Sequence, residues 1–145
     1  MIKVLIQVGR GHTGRRIYNE HTLEYLHTGP GRHPYPYPYG FIPGTRTDDG
    51  ACVDCYIITH KPLKAGSIIE CEPMGLLEQH EGDEIDHKIL AVLPGEHVEL
   101  DQEVVETLRN FIYTIFSSAP VSSIKIGELL PREQALQHIK EHLET

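Results

Sequence analysis

The 145-residue sequence lacks several features that would point to particular classes of protein. No apolar run is long enough to span a membrane, and the first residues, Met1 to Leu5, do not have the layout of a secretion signal. The three cysteines, an odd number, argue against a disulfide scaffold and agree with a reducing compartment. We therefore expect a cytoplasmic protein without a membrane partner.

Positive charge is also scarce. Thirteen lysines and arginines stand against 21 acidic residues, which gives a net charge of −8. This charge disfavours a nucleic-acid partner, whose phosphates would be repelled at long range. A small phosphate ligand stays possible, because carboxylates that hold divalent cations bind phosphate through the metals. The ten histidines are scattered along the sequence, so we expect most of them to be ordinary surface or half-buried residues.

The apolar pattern predicts several strands in the first two thirds of the chain. Residues 2–8 alternate and contain β-branched side chains, and further apolar segments follow at 53–59, 67–77 and 87–93. Alternate prolines within the segment His33–Gly40 forbid a helix and remove ladder donors. They predict an extended, edge-like segment.

The pattern then changes to helical spacing. Residues 101–116 predict a long amphipathic helix with Asp101 as its N-cap. Pro131 is placed to open a second helix. The apolar face of that helix is predicted to consist of Ala135, Leu136, Ile139 and Leu143. We see no repeat or linker, so residues 1–145 should form a single α+β domain built on a small barrel.

A Gly-x-Gly-x-x-Gly pattern, Gly9–Gly14, directly follows the first predicted strand. Alone it would suggest a dinucleotide-binding oxidoreductase. The context is missing, because prolines occur where the next strand of such a unit should lie and later strands do not alternate with helices. A flexible basic loop, whose arginines suit phosphate oxygens, explains the pattern better.

A second pattern, Cys52-x-x-Cys55, could indicate zinc or redox chemistry. Residues three apart in a strand point to opposite faces, so these thiols should diverge. The sequence has no second pair of this kind, and we expect structural cysteines.

Acidic residues near one lysine carry the strongest chemical signal. The simplest interpretation is a pair of solvated acidic turns, formed by residues 48–54 and 81–88. However, Asp54 lies inside an apolar strand, and Asp86 and Lys88 share a face at the start of another strand. Carboxylates that converge beside a cation describe a site for Mg²⁺ and phosphate.

Several segments resemble family I inorganic pyrophosphatases. Tyr35–Thr45 resembles the family's Tyr-Pro-x-Asn-Tyr-Gly-Phe-Ile-Pro-x-Thr segment, and Asp49–Asp54 its Asp-Gly-Asp-Pro-hydrophobic-Asp signature. Asp86–Val92 resembles the family's Asp-x-Lys-hydrophobic-hydrophobic-Ala-Val segment. Leu63–Ser67 and Pro73–Leu77 are similar to the strands between them, in order and without gaps.

This resemblance implies a five-stranded OB-like barrel with a long amphipathic helix and a C-terminal helix. It implies hydrolysis of pyrophosphate with Mg²⁺, with Mn²⁺ as the alternative metal, and a homo-oligomer, commonly a hexamer. The implied metal ligands are Asp49, Asp54, Glu81 and Asp86. The implied substrate-binding residues are Arg16, Tyr35, Tyr39 and Lys88. The implied catalytic residues are Asp54, Lys88 and Tyr39.

Other positions depart from the family's pattern. Ala51 stands where the family has an aspartate that bridges metals and serves as the base. Gln7 and Tyr18 fall at acidic positions, and His27 falls at a phosphate-binding arginine. Ile115–Phe116 replaces a Tyr-Lys pair that grips the leaving phosphate. Loss of a general base costs on the order of 10²–10⁴ in rate, so we expect reduced activity.

Asp48 could stand in for the missing acid at Ala51, and Glu20 for the one at Tyr18. The alternative is a catalytically inactive member of the family that binds a phosphate ligand or a protein.

Overall fold

The computed structural model describes residues 1–117 and 123–144. Within these ranges the chain forms nine strands and two helices. They are β1 (Ile2–Val8), β2 (Arg16–Tyr18), β3 (Tyr25–Thr28), β4 (Tyr39–Ile42), β5 (Val53–Ile57), β6 (Ile68–Glu81), β7 (Glu84–Ile85), β8 (Lys88–Val92), α1 (Gln102–Phe116), β9 (Ile124–Pro131) and α2 (Arg132–Glu141).

Five strands close into a barrel in the order β1-β4-β5-β8-β6, with β6 returning to β1. Only the β5–β8 pair of this ring is parallel. Closure depends on the length of β6, whose first residues pair with β1 while its middle pairs with β8. The far end of β6 pairs with β7 and β9. The expected α+β fold on a five-stranded barrel is confirmed.

Both faces of the barrel strands are covered, which explains why β8 is apolar without alternation. Side chains on one face pack with α2, through Ala135 and Ile139. Side chains on the other face pack with α1. That second cluster includes Tyr39, Tyr56, Leu77, Leu90, Leu108, Phe111 and Ile112. The candidate site described below lies at the edge of the cluster that α1 covers.

The long helix begins as predicted. Asp101 is its N-cap, and the Asp101 side chain accepts a hydrogen bond from the backbone N–H of Val104. Within the described part of the chain no helix is both long and apolar enough to cross a membrane.

The predicted apolar face of α2 is correct for two of its four residues and wrong for the other two. Ala135 and Ile139 are buried, but Leu136 is 43% exposed and Leu143 is 57% exposed. Leu136 lies about 100° around the helix from Ala135, because an α-helix has about 3.6 residues per turn. Leu143 lies beyond the last helical residue, Glu141, so helical spacing no longer fixes its direction.

The proline-rich segment belongs to no strand up to its last proline. From Tyr39 the chain enters β4, which pairs with β1 on one side and β5 on the other. Gly40 permits this close pairing, because a Cβ there would collide with the carbonyl oxygen of Leu5. The expectation of an edge strand is therefore wrong for Tyr39 and Gly40.

Candidate active site

Lys88, the first residue of β8, is the centre of the site. Its Nζ lies 2.7 Å from Oδ2 of Asp54 and 3.1 Å from Oδ1 of Asp86. The same Nζ donates to the hydroxyl of Tyr39 at 3.3 Å. Lys88 is only 5% exposed. A buried ammonium thus holds two carboxylates together with one phenol.

Strand register produces this arrangement. Asp54 is the direct neighbour of Lys88 in the parallel β5–β8 pair. Asp86 lies two residues before Lys88 and reaches the same side of the chain, as period-two spacing predicts. Tyr39 begins β4 and pairs with Tyr56 of β5, so its ring also borders Lys88.

The charges in the site perturb one another. Burial opposes the charged form of Lys88, but Asp54 and Asp86 raise the pKa of the ammonium well above its usual value. Burial raises the pKa of the Asp86 carboxyl; Lys88 works in the opposite direction, and Asp54 and Asp49 add to the increase. Burial also raises the pKa of Tyr39, so this phenol stays a hydrogen-bond donor.

A small cavity of about 120 Å³, the Lys88 cavity, opens above this cluster. It is lined by Arg15, Tyr35, Tyr39, Asp54, Tyr56, Gln79, Asp86, Lys88, Ile112, Ile115 and Phe116. Burial opposes the charge on Arg15, but Tyr39, Tyr35 and Asp54 raise the pKa of its guanidinium. Two cations and three phenols therefore face this cavity, opposite an apolar wall supplied by α1.

A larger cavity of about 600 Å³, the acidic cavity, lies on the other side of the same carboxylates. Asp54 and Asp86 line both cavities. Seven carboxylate side chains line the acidic cavity, and no lysine or arginine of the described residues does. The seven are Asp48, Asp49, Asp54, Asp83, Glu84, Asp86 and Glu141.

Asp49 is presented by a tight loop before β5. Its Oδ1 accepts hydrogen bonds from the Oγ1 of Thr47 and from the backbone N–H of Ala51, the latter at 2.9 Å. Gly50 has a positive φ of 87°, which suits glycine. Burial works against ionisation, but the hydrogen bonds from Thr47 and Ala51 lower the pKa of Asp49 overall.

Two expected site residues do not reach this cluster. Arg16 lies in a separate cavity of about 360 Å³ with Gly9, Gly14 and Lys64. The preceding Arg15 faces Lys88 instead, because successive residues of an extended chain point in opposite directions. The pattern of charges could not distinguish these adjacent arginines.

Glu81 also lies outside both cavities. It ends β6, where it is exposed and pairs with Glu84 in the short hairpin to β7. The structure therefore brings together Asp54, Asp86, Lys88, Tyr35 and Tyr39, places Asp49 in the adjoining acidic cavity, and leaves Glu81 aside.

The departures from the family's pattern have clear local roles. Gln7 is buried and its Nε2 donates to the carbonyl of Arg16 at 3.0 Å. Glu20 accepts from the backbone N–H of Cys52 at 2.7 Å, and His27 is exposed on β3. Sequence reasoning missed Gln79, a buried residue whose Nε2 lies 3.5 Å from Oδ2 of Asp86.

The side chains of the acidic cavity offer the ligand atoms that a hard divalent cation prefers, because they are carboxylate oxygens in a strongly negative cavity. Across residues 1–117 and 123–144, no three His, Cys, Asp or Glu side chains are already arranged around a common metal position. Asp54 and Asp86 are turned toward Lys88.

The barrel and its site define a protein in which two cationic side chains, the buried Lys88 and the exposed Arg15, lie on one side of a carboxylate pair and acids lie on the other. The family described as inorganic pyrophosphatase matches residues 16–145, so the chain belongs to the inorganic pyrophosphatase family.

Relatives support this assignment over most of the chain. The inorganic pyrophosphatase of Nanoarchaeum equitans is 30% identical over 99% of this chain and 96% of its own length. That of Aquifex pyrophilus is 31% identical over 77% of this chain and 68% of its own. The fold is similar to the inorganic pyrophosphatase of Coxiella burnetii, with a TM-score of 0.85, 20% identity, and coverage of 97% and 91%.

Proposed function

We propose that the chain hydrolyses inorganic pyrophosphate to two phosphates at the Lys88 cavity. Membership of the family supports this activity. The observation that carries the proposal is the position of Asp54 and Asp86, which line the Lys88 cavity on one side and the acidic cavity on the other. An anion and a cation can therefore bind to opposite sides of one carboxylate pair.

The substrate anion belongs in the Lys88 cavity. Arg15 and Lys88 supply positive charge, and the hydroxyls of Tyr35, Tyr39 and Tyr56 supply donors. Burial makes the contacts of Lys88, Tyr39 and Tyr56 stronger than they would be in water, whereas Arg15 is exposed. In this proposal Arg15 takes the role that the resemblance assigned to Arg16.

The acidic cavity belongs to divalent cations, and we propose Mg²⁺, with Mn²⁺ as an alternative. Asp49, Asp54 and Asp86 would hold it; Glu81 would have to reorient to contribute. When bound, such a cation neutralises phosphate charge and lowers the pKa of water. Asp54 and Asp86 would bind it at the cost of their contacts with Lys88, whose ammonium would then be available to the substrate.

Hydrolysis breaks one bond between phosphorus and the bridging oxygen, and water supplies the new hydroxyl. We take Asp54 as the proton acceptor, as the resemblance implies; it borders the Lys88 cavity, and Ala51 offers no carboxylate. The missing acid at Ala51 supports a reduced rate, on the order of 10²–10⁴ below that of a site with a dedicated base.

A non-catalytic phosphate binder is the second candidate. Ile112, Ile115 and Phe116 line the Lys88 cavity, so one wall offers no donor to the second phosphoryl group. Such a protein would still bind an anion through Arg15 and Lys88.

The test is phosphate release from pyrophosphate with Mg²⁺ and, separately, with Mn²⁺. Wild type should exceed a heat-killed control, and Asp54→Asn should lose most of that rate. Glu70→Gln, a matched change at an exposed carboxylate outside both cavities, should retain it. No release with either metal, together with thermal stabilisation by pyrophosphate, would favour the binder instead.

The homo-oligomer, a hexamer by resemblance, and the cytoplasmic location stay predictions. Light scattering at several protein concentrations measures the first.

A further inference from the structure

Four of the ten histidines, which are scattered in sequence, form one row of rings in the fold. His80 contacts His87, His87 contacts His138, and His138 contacts His142, with ring centroids 5.2, 5.6 and 4.5 Å apart. The row runs from the far part of β6, which pairs with β7 and β9, to the end of α2. The last three of these residues line the acidic cavity.

His138 and His142 have the spacing of a chelating pair. His138 lies in the last turn of α2 and His142 is the C-cap four residues later; the contact between their rings shows that the two side chains lie side by side. Two imidazoles on one cation, with metal–nitrogen distances of about 2.0–2.1 Å and a ligand angle of about 90–110°, have ring centroids about 4.5–5.2 Å apart. The observed 4.5 Å lies in this range.

Hydrogen bonding leaves the correct nitrogen available on His142. Its Nδ1 lies 2.7 Å from the carbonyl oxygen of His138. A carbonyl can only accept, so this Nδ1 carries the proton and the lone pair lies on Nε2. Histidine ligands commonly donate their second ring N–H to such a carbonyl. His87 has the opposite arrangement, because its Nδ1 accepts the backbone N–H of Gln79 at 3.1 Å.

The surroundings favour a cation at this pair. The last turn of a helix carries partial negative charge, and Glu141, Asp86 and Asp54 line the same cavity.

We propose that His138 and His142 form a binding site for a borderline divalent transition-metal cation, such as Zn²⁺, Co²⁺ or Ni²⁺. Imidazole nitrogen suits these ions, whereas Mg²⁺ selects oxygen. The site adjoins the carboxylates assigned to Mg²⁺ but is distinct from them, and it does not depend on the hydrolysis of pyrophosphate. Water completes the coordination.

Co²⁺ titration of protein without a histidine tag tests the site, with Mg²⁺ in large excess to occupy oxygen ligands. The d–d absorption of bound Co²⁺ should saturate in wild type. His138→Gln and His142→Gln should each weaken Co²⁺ binding at least about tenfold. Loss of a residue that only hydrogen-bonds to a metal ligand already weakens metal binding by about tenfold or more, so loss of a ligand should cost at least as much. His97→Gln, a change at an exposed histidine of another cavity, should leave the titration unchanged.

Unchanged Co²⁺ affinity in either variant, or no saturable signal from wild type, would overturn the proposal. A measurement on wild type covers the case in which a variant fails to fold. Zn²⁺ should shift the imidazole NMR resonances of both His138 and His142 in the presence of excess Mg²⁺. If either resonance stays in place, the pair does not bind the metal.

Discussion

Replacing Lys88 by methionine should destabilise the protein when divalent metal is absent. Methionine keeps the length of the side chain but removes the charge that holds Asp54 and Asp86 at 2.7 and 3.1 Å. Removal of one partner from a buried ion pair costs about 3–5 kcal/mol. The side chains of Asp54 and Asp86 are 21% and 29% exposed, so hydration of their carboxylates offsets part of this loss. We expect a loss of about 2–3 kcal/mol in the free energy of unfolding.

Thermal unfolding in a chelator measures this loss. For a chain of this size about 1 kcal/mol shifts the unfolding midpoint by roughly 3–4 °C, so Lys88→Met should unfold about 6–12 °C below wild type. Lys3→Met is the matched control, because Lys3 also lies in a barrel strand but is exposed. Its midpoint should stay close to that of wild type.

Added Mg²⁺ provides the second arm of this experiment. Without the ammonium, Asp54 and Asp86 are free to bind a cation, so Mg²⁺ should raise the midpoint of Lys88→Met more than that of wild type. Hydrolysis should still be lost in the variant, because the substrate no longer meets Lys88. If Lys88→Met and Lys3→Met unfold at the same temperature in chelator, the ion-pair argument is wrong.

Three further substitutions test other parts of the site. Arg15→Gln should lower kcat/KM about 10–100-fold, since a hydrogen bond to a charged group contributes about 1.5–3 kcal/mol. The control Arg16→Gln should change kcat/KM little. Equal losses in the two variants would show that Arg15 is not the phosphate ligand. Asp86→Asn should abolish most hydrolysis yet unfold at the same or a higher temperature in chelator at neutral pH. Because the pKa of Asp86 is raised in the folded state, wild type is more stable when this carboxyl is protonated and loses that stability as the pH rises through the raised pKa. The unfolding midpoint of Asp86→Asn, measured by calorimetry, should therefore exceed that of wild type by more at pH 7 than at about pH 4. Phe116→Lys should raise kcat/KM, because it places a cation on the apolar wall of the Lys88 cavity, while Ser117→Lys, a control at the end of the same helix, should not.

Local sequence patterns predicted the parts of the fold that local physics decides. The strand at 2–8, the α1 helix and its Asp101 cap follow from periodicity and capping alone. Strand β9 was missed, although it pairs along the far end of β6. Burial in β9 does not alternate regularly, so the strand is defined by its partner rather than by its own residues. The β2–β3 hairpin is similar, because all four β3 residues are exposed.

The site also combines contacts that local sequence predicts with contacts that only the folded barrel creates. The contact between Asp86 and Lys88 is a local consequence of period-two spacing. The contact between Asp54 and Lys88 requires a parallel β5–β8 pair, which only the closed barrel creates. A one-residue change of register exchanges the two faces of a strand, and that alone decides between Arg15 and Arg16.

The shared carboxylates connect cation binding with anion binding. In this structure the charge of Lys88 is already neutralised by Asp54 and Asp86, so its attraction for a phosphate oxygen is weak. A cation bound in the acidic cavity, as proposed, would compete with Lys88 for these two carboxylates, and each carboxylate that it took would return positive charge to the Lys88 cavity. Binding of the cation and binding of the anion should therefore strengthen each other by the same factor, because coupling between two sites is reciprocal. This coupling needs no movement of the barrel, only a change of partner for two side chains.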